Sequence, residues 1–133
     1  MTSDPLTLLR EARTIALVGA SPTPGRPSHG VMRYLLAHGY HVIPIRPGRT
    51  EVLGVRCVPS LLDIDEPIDM VDVFRSPEAC PNHAREAVEV GARSLWLQLG
   101  IVSPEARAIA EAAGLPYVED ACTAVVHARG LRG

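Results

Sequence analysis

The stretch IALVGASPTPGRPSHGVMRYLLAHGYHVIPIRPG, residues 15–48, indicates how the whole chain folds. It opens with an apolar run that ends at Gly19, and a loop of small residues and prolines follows. A helical pattern then runs as far as Gly39, and a second apolar run leads to Arg46. A strand, a loop, a helix and another strand in this order are typical of a nucleotide-binding unit built on a parallel sheet.

The rest of the chain repeats this alternation of strand and helix patterns. Ser28 and Asp120 are predicted to cap helices, because a hydroxyl or carboxylate oxygen there can accept from the first free amides. We therefore expect one α/β domain over residues 1–133, with a Rossmann-like, doubly wound and mostly parallel sheet of five to six strands. The later strands are predicted at residues 54–58, 68–74, 93–99 and 116–120.

Composition narrows the class of protein. A chain of 133 residues that is 47% hydrophobic suits a single packed core, and its net charge of -2 argues against a broad nucleic-acid surface. No apolar run approaches the ~20 residues of a membrane span, and the N-terminus lacks the pattern of a signal peptide. The three cysteines Cys57, Cys80 and Cys122 suggest neither a disulfide framework nor a zinc site. A soluble, cytoplasmic protein is expected.

The loop after the first strand is the first candidate site. In a doubly wound sheet, ligands bind beyond the carboxyl ends of the strands, at the point where the strand order reverses. Small residues let the backbone approach a ligand, and the amides at the start of the next helix attract anions. The alternative is a surface turn that only joins strand to helix. The predicted contacts are Gly19, Ala20, Ser21, Arg26, Ser28 and His29.

The end of the second strand suggests which anion the loop holds. An NAD site usually has an acidic residue here for the ribose hydroxyls, whereas this chain has Arg46 and Arg49. Guanidinium groups pair well with phosphate, so the ligand is expected to carry a phosphate on its ribose, as NADP and coenzyme A both do. In the alternative interpretation the two arginines are solvated surface charges.

Several blocks of the sequence resemble the CoA-binding domain family, small proteins similar to the N-terminal domain of the succinyl-CoA synthetase alpha subunit. The first block is VGASPTPGRPSHGVMRYLLAHGYHVIPIRPG. VDVFRSPE (71–78), LWLQLGI (95–101) and EDACTAVVH (119–127) follow in the family's order. The resemblance covers roughly residues 8–128. It is specific because several spaced blocks agree together.

The resemblance implies a coenzyme A site. It places Gly19, Ala20 and Ser21 under the pyrophosphate, with Ser28 and His29 at the helix start. It places Arg46 and Pro47 at the adenosine end, and Phe74 and Arg75 beside the adenine or the ribose phosphate. The family commonly has Val-Asn-Pro where this chain has Ile45-Arg46-Pro47.

These observations favour a non-catalytic protein that binds coenzyme A or acyl-CoA. The larger synthetase carries a phosphorylated histidine on a second domain, which this sequence does not contain, so a ligase reaction is not expected. One alternative is an NADP-dependent oxidoreductase. Another is a thiol-linked role, in which Cys122 forms a mixed disulfide with the coenzyme. No nucleic acid, membrane, metal or particular protein partner is predicted.

Overall fold

A single parallel sheet organises the chain in the computed structural model, which describes residues 4–48 and 50–132. The sheet has five strands in the order β2-β1-β5-β6-β7, and a separate two-stranded hairpin is formed by β3 and β4. The strands are β1 (Thr14–Val18), β2 (His41–Ile45), β3 (Glu51–Val52), β4 (Val55–Arg56), β5 (Met70–Val73), β6 (Leu95–Leu97) and β7 (Tyr117–Val118).

Helices cover both faces of the sheet. The apolar residues of α1, α2 and α5 share one core with one face of the strands, and those of α3 and α4 share a second core with the opposite face. Alternate residues of β1 divide between the cores: Ile15 and Leu17 belong to the first, Ala16 and Val18 to the second. The helices are α1 (Pro5–Glu11), α2 (Pro27–Ala37), α3 (Cys80–Glu89), α4 (Pro104–Ala112) and α5 (Thr123–Arg132).

The predicted fold class is confirmed: this is a doubly wound α/β domain of Rossmann-like architecture. Its sheet has five strands within the described residues, the lower number of the predicted range. Within the described ranges, none of the helices has the length and apolar character that a membrane crossing requires.

The switch point of the sheet lies at β1. This strand pairs with β2 on one side and with β5 on the other, so that Val18 lies level with both Ile45 and Val73. The chain leaves these strands toward opposite faces and opens a crevice beyond their carboxyl ends. Two backbone bonds close the edge there: the Gly19 amide donates to the Ile45 carbonyl at 3.1 Å, and the Phe74 amide donates to the Val18 carbonyl at 2.8 Å.

The strand predicted over residues 54–58 is wrong in its extent and its partner. Only Val55 and Arg56 are extended, and they pair antiparallel with Val52 and Glu51 rather than joining the main sheet. Val58 alone reaches the sheet, through an isolated parallel bridge to Ile45.

The helix caps predicted at Ser28 and Asp120 are also wrong. Arg26 occupies the N-cap of α2 and Pro27 begins the helix, so Ser28 lies inside the first turn, where its Oγ accepts from the Ser21 amide at 3.0 Å. Asp120 lies before α5 in a left-handed conformation, with φ of 54°. Its Oδ1 accepts from the Gly100 amide at 2.7 Å and so ties together the loops that follow β6 and β7.

Candidate functional site

Two cavities open side by side at the carboxyl edge of the sheet. The first encloses about 560 Å³ and is bordered by the loop after β1, the start of α2 and the loop after β6. The second encloses about 640 Å³ and extends over the end of β2 toward α3. They share Gly19, Arg46, Phe74 and Arg75, so these four residues form the boundary between one cavity and the other.

The structure brings nine of the ten predicted site residues to these cavities. Besides the four shared residues, Ser21, Arg26 and Ser28 line the first cavity, and Ala20 and Pro47 line the second. His29 is the exception, because its buried side chain is paired with Arg33, four residues along α2, at 3.3 Å. Arg49 lies outside the described residues.

The start of α2 offers fewer free amides than the sequence predicts. The amides of His29 and Gly30 both donate to the Arg26 carbonyl, at 3.0 and 3.3 Å, and therefore do not face a ligand. Two serine hydroxyls offer donors in place of these amides. The Ser21 and Ser28 oxygens accept from the Thr23 and Ser21 amides respectively, so each O–H hydrogen is left to donate to an anion.

The first cavity is electropositive. Arg26, Arg46 and Arg75 line it, and none of its described lining residues is acidic. Arg46 is half-buried and is oriented by a bond from its Nη1 to the Ala20 carbonyl at 3.2 Å. Arg26 and Arg75 are exposed, and neither forms an ion pair with another described residue. Three guanidinium groups beside two free hydroxyls suit a ligand with several phosphates.

The side of the first cavity next to β6, across the sheet from Arg46 at the end of β2, has a different character. Leu99 and Ile101 give it apolar walls, and Leu99 is exposed to 69%. Cys122 also lines the first cavity, directly before α5. No hydrogen bond joins it to His127 among the described residues, and the His127 Nδ1 is bonded to the Tyr34 hydroxyl at 2.8 Å. The cavity is therefore suited to a ligand that is anionic at one end and less polar at the other.

Beneath the cavity lies a buried polar network that the sequence did not reveal. Gln98 Nε2 donates to Asp72 Oδ1 at 2.6 Å and to Thr123 Oγ1 at 2.9 Å. Thr123 Oγ1 in turn donates to Asp72 Oδ2 at 3.2 Å. Asp72 and Thr123 are fully buried, whereas Gln98 also lines the first cavity. The available signal was Asp72, one of two acidic residues inside the otherwise apolar run IDMVDVF.

Burial controls the ionisation of Asp72. Loss of hydration raises the pKa of its carboxyl to about 7, against the lowering effect of the hydrogen bonds from Gln98 and Thr123. Because the folded pKa exceeds the unfolded one, the folded chain holds this proton more tightly. The contribution of the protonated Asp72 carboxyl to the free energy of unfolding is therefore fully present below the unfolded pKa. It is lost as the pH rises through about 7, where the folded carboxyl ionises.

We therefore expect the free energy of unfolding to fall by about 2–3 kcal/mol between about pH 5 and about pH 8. Asp72→Asn, which cannot ionise, should flatten this part of the profile in urea denaturation. Asp65→Asn removes an exposed carboxyl and is the matched control. Parallel pH profiles for wild type and Asp72→Asn would contradict the assignment.

Comparisons with known proteins identify the family of this chain. A CoA binding domain model matches residues 13–128. The uncharacterized protein YneT of Bacillus subtilis is 41% identical over 121 residues, which are 91% of this chain and 90% of YneT. The solved structure of a hypothetical protein from Pyrococcus horikoshii OT3 is 42% identical, has a TM-score of 0.93, and the match covers 98% of this chain and 93% of that one.

A larger enzyme shares part of the sequence. The ADP-forming acetate–CoA ligase II of Archaeoglobus fulgidus is 28% identical over 81 residues, which are 59% of this chain and 12% of the ligase. The similarity thus concerns a small part of that enzyme. With a family model that spans most of its length and a relative that matches it nearly end to end, this chain belongs to the CoA binding domain family.

Proposed function

We propose that this protein binds coenzyme A or an acyl-CoA without catalysing a reaction on it. The observation that carries the proposal is the first cavity, whose described lining combines three arginines and no acidic residue with apolar residues on the side next to β6. Coenzyme A has the same division, with three phosphate groups on its nucleotide and a long uncharged arm. Membership of the family supports the same ligand.

The position of the cavities suggests how the ligand lies. The pyrophosphate would rest over Gly19 and the hydroxyls of Ser21 and Ser28, beside the switch point. The adenosine would extend over the end of β2 into the second cavity, where Arg46 and Pro47 line the wall. The arm would run the other way, through the first cavity toward Leu99 and Ile101. A phosphate on the ribose would then meet Arg46 or Arg75.

Calorimetry with four ligands tests the proposal: coenzyme A, dephospho-coenzyme A, NAD and NADP. We expect saturable binding of coenzyme A, about tenfold tighter than dephospho-coenzyme A, since a charged hydrogen bond to phosphate contributes roughly that factor. Equal affinity for these two would show that the arginines do not contact the phosphate on the ribose. Tighter binding of NADP would overturn the assignment in favour of an NADP-dependent oxidoreductase.

Cys122 supports a second candidate function, because it also lines the first cavity, through which the arm would run. A Cys122 thiolate could attack the disulfide of oxidised coenzyme A, form a protein–coenzyme disulfide and release one coenzyme thiolate. This exchange needs no other oxidant. It would make the protein a thiol-linked carrier rather than a reversible binder.

Cys122→Ser separates the two functions. In the non-covalent function we expect the affinity for reduced coenzyme A to stay within a factor of about two of the wild-type value. Intact-mass spectra after incubation with oxidised coenzyme A, with and without dithiothreitol, measure the exchange. A reducible adduct on the wild type that the variant lacks, together with weak binding of reduced coenzyme A, would favour the thiol-linked function.

A further inference from the structure

We propose that the side-chain carbonyl oxygen of Gln98 binds the uncharged arm of the ligand by accepting a hydrogen bond from one of the amide N–H groups of that arm. The inference rests on the proposed function and adds a contact that selects the chemistry of the arm. Coenzyme A carries two secondary amides in this arm. Each amide N–H needs an acceptor when the arm leaves water, since an unpaired buried donor is costly.

The Gln98 amide is oriented by its buried partners. The Thr123 hydroxyl gives its single hydrogen to Asp72 Oδ2, so its oxygen can only accept from Gln98, and the group that faces Thr123 and Asp72 is therefore the NH₂. Its two hydrogens are both used, one by Asp72 at 2.6 Å and one by Thr123 at 2.9 Å. The remaining polar atom of the side chain is Oε1. The network therefore determines which end of the amide is left for a ligand.

The Oε1 atom is available at the cavity. Among the described residues, no donor is bonded to it. Thr50 Oγ1 is the one described side-chain polar atom that is both fully buried and without a partner, so the unpartnered Oε1 of Gln98 is not fully buried. Gln98 is only 3% exposed, yet it lines the first cavity. An acceptor that is neither satisfied by the fold nor enclosed in the core is directed into the cavity.

The subsite is also correctly placed along the cavity. Gln98 directly follows β6, and its neighbours on the cavity wall are the apolar Leu99 and Ile101. The arginines and the Ser28 hydroxyl lie on the loops after β1, β2 and β5 and at the start of α2. An arm that leaves the phosphates for the apolar end must pass the Gln98 side chain. A purely structural role would explain the Nε2 bonds but not this free oxygen.

A cycle of protein and ligand changes tests the inference. The ligands are coenzyme A, two analogues in which one or the other arm amide N–H is replaced by an ester oxygen, and 3′-phospho-ADP, which lacks the arm. The proteins are wild type and Gln98→Met, which keeps the length of the side chain without its polar atoms. Binding is measured by calorimetry, and circular dichroism checks the fold of the variant.

We expect one ester analogue to bind wild type about tenfold more weakly than coenzyme A, the factor for one lost hydrogen bond. Gln98→Met should also bind coenzyme A about tenfold more weakly, should not distinguish that analogue from coenzyme A, and should bind 3′-phospho-ADP as wild type does. If both analogues bind wild type as tightly as coenzyme A, the inference is overturned, and this result needs no variant to fold.

Three outcomes distinguish the subsite from the proposed function. Equal weakening of coenzyme A and 3′-phospho-ADP by Gln98→Met would show a structural role and overturn the subsite. Failure of wild type to bind either of these ligands would remove the proposed function, and this inference with it. Binding of both by wild type with no effect of the ester analogues would remove the subsite alone.

Thr123 acts as a positioning residue in this inference. Thr123→Val removes one of the two acceptors that hold the Gln98 NH₂, and we expect it to reduce the discrimination against the ester analogue to about threefold. Thr123→Ser keeps the hydroxyl and should retain the discrimination of wild type. If Thr123→Val discriminates as wild type does, Thr123 does not orient Gln98.

Discussion

Replacing Gly19 by alanine should abolish coenzyme A binding and lower the free energy of unfolding by about 2–4 kcal/mol. Gly19 has a φ of 86°, which an L side chain adopts with strain. A Cβ there would also collide with the Phe74 carbonyl oxygen and lie 3.1 Å from Arg75 Cδ. The collision is with backbone at the end of β5, so the two loops beside the switch point must separate.

Gly25→Ala is the matched control for this variant. Gly25 lies in the same loop with a φ of 94°, but nothing lies within 4 Å of a Cβ built on it. The control should therefore lose only the cost of the left-handed conformation, about 1 kcal/mol, and should keep most of the ligand affinity. Urea denaturation and calorimetry measure both quantities. Equal losses in the two variants would show that the contact with Phe74 is not what requires glycine at position 19.

Arg75→Glu should lower the affinity for coenzyme A about 100-fold, because it replaces an attraction to phosphate by a repulsion at short range. The side chain is exposed and forms no ion pair with another described residue, so the fold should not change. The Cδ of Arg75 lies beside Gly19, at the boundary of both cavities. The guanidinium can therefore serve a phosphate on either side.

Arg56→Glu controls for the change of net charge. Arg56 is exposed on the hairpin and lines neither cavity of the site. We expect it to change the affinity less than about threefold at moderate salt, where distant charges are screened. Calorimetry at two salt concentrations compares the variants. Similar losses in Arg56→Glu and Arg75→Glu would indicate attraction by the overall field rather than a contact with Arg75.

The sequence predicted the alternation of strands and helices well but missed the hairpin. The pattern of residues 54–58 predicts one strand of the sheet, whereas Val55 and Arg56 turn back on Glu51 and Val52. The turn places Leu53 and Gly54 at φ of 51° and 78°, the pattern of a tight two-residue hairpin. Such a turn usually has Asn-Gly or Asp-Gly at these positions. This chain has leucine in the first of them, a residue that rarely adopts the conformation, so the usual sequence signal of a hairpin is absent.

The sequence predicts the position of the loop after β1, but it does not predict the hydrogen bonds within the loop. The small residues and the neighbouring arginines predicted an anion site, and the structure brings these residues to two adjoining cavities. The amides of His29 and Gly30 are engaged with Arg26, and Ser28 bonds to Ser21 instead of capping α2. These details depend on where Pro27 begins the helix, and local preference alone does not determine it.

Local pattern and charge are enough to predict the order of the elements, the loop at the switch point and the arginines beside it. Only the tertiary structure brought together Asp72, Gln98 and Thr123, which are separated by 26 and 25 residues along the chain. Their contact requires the parallel pairing of β5 with β6 and the docking of α5 over the same face. Whether a buried polar residue finds partners depends on such long-range register, which no short stretch of sequence encodes.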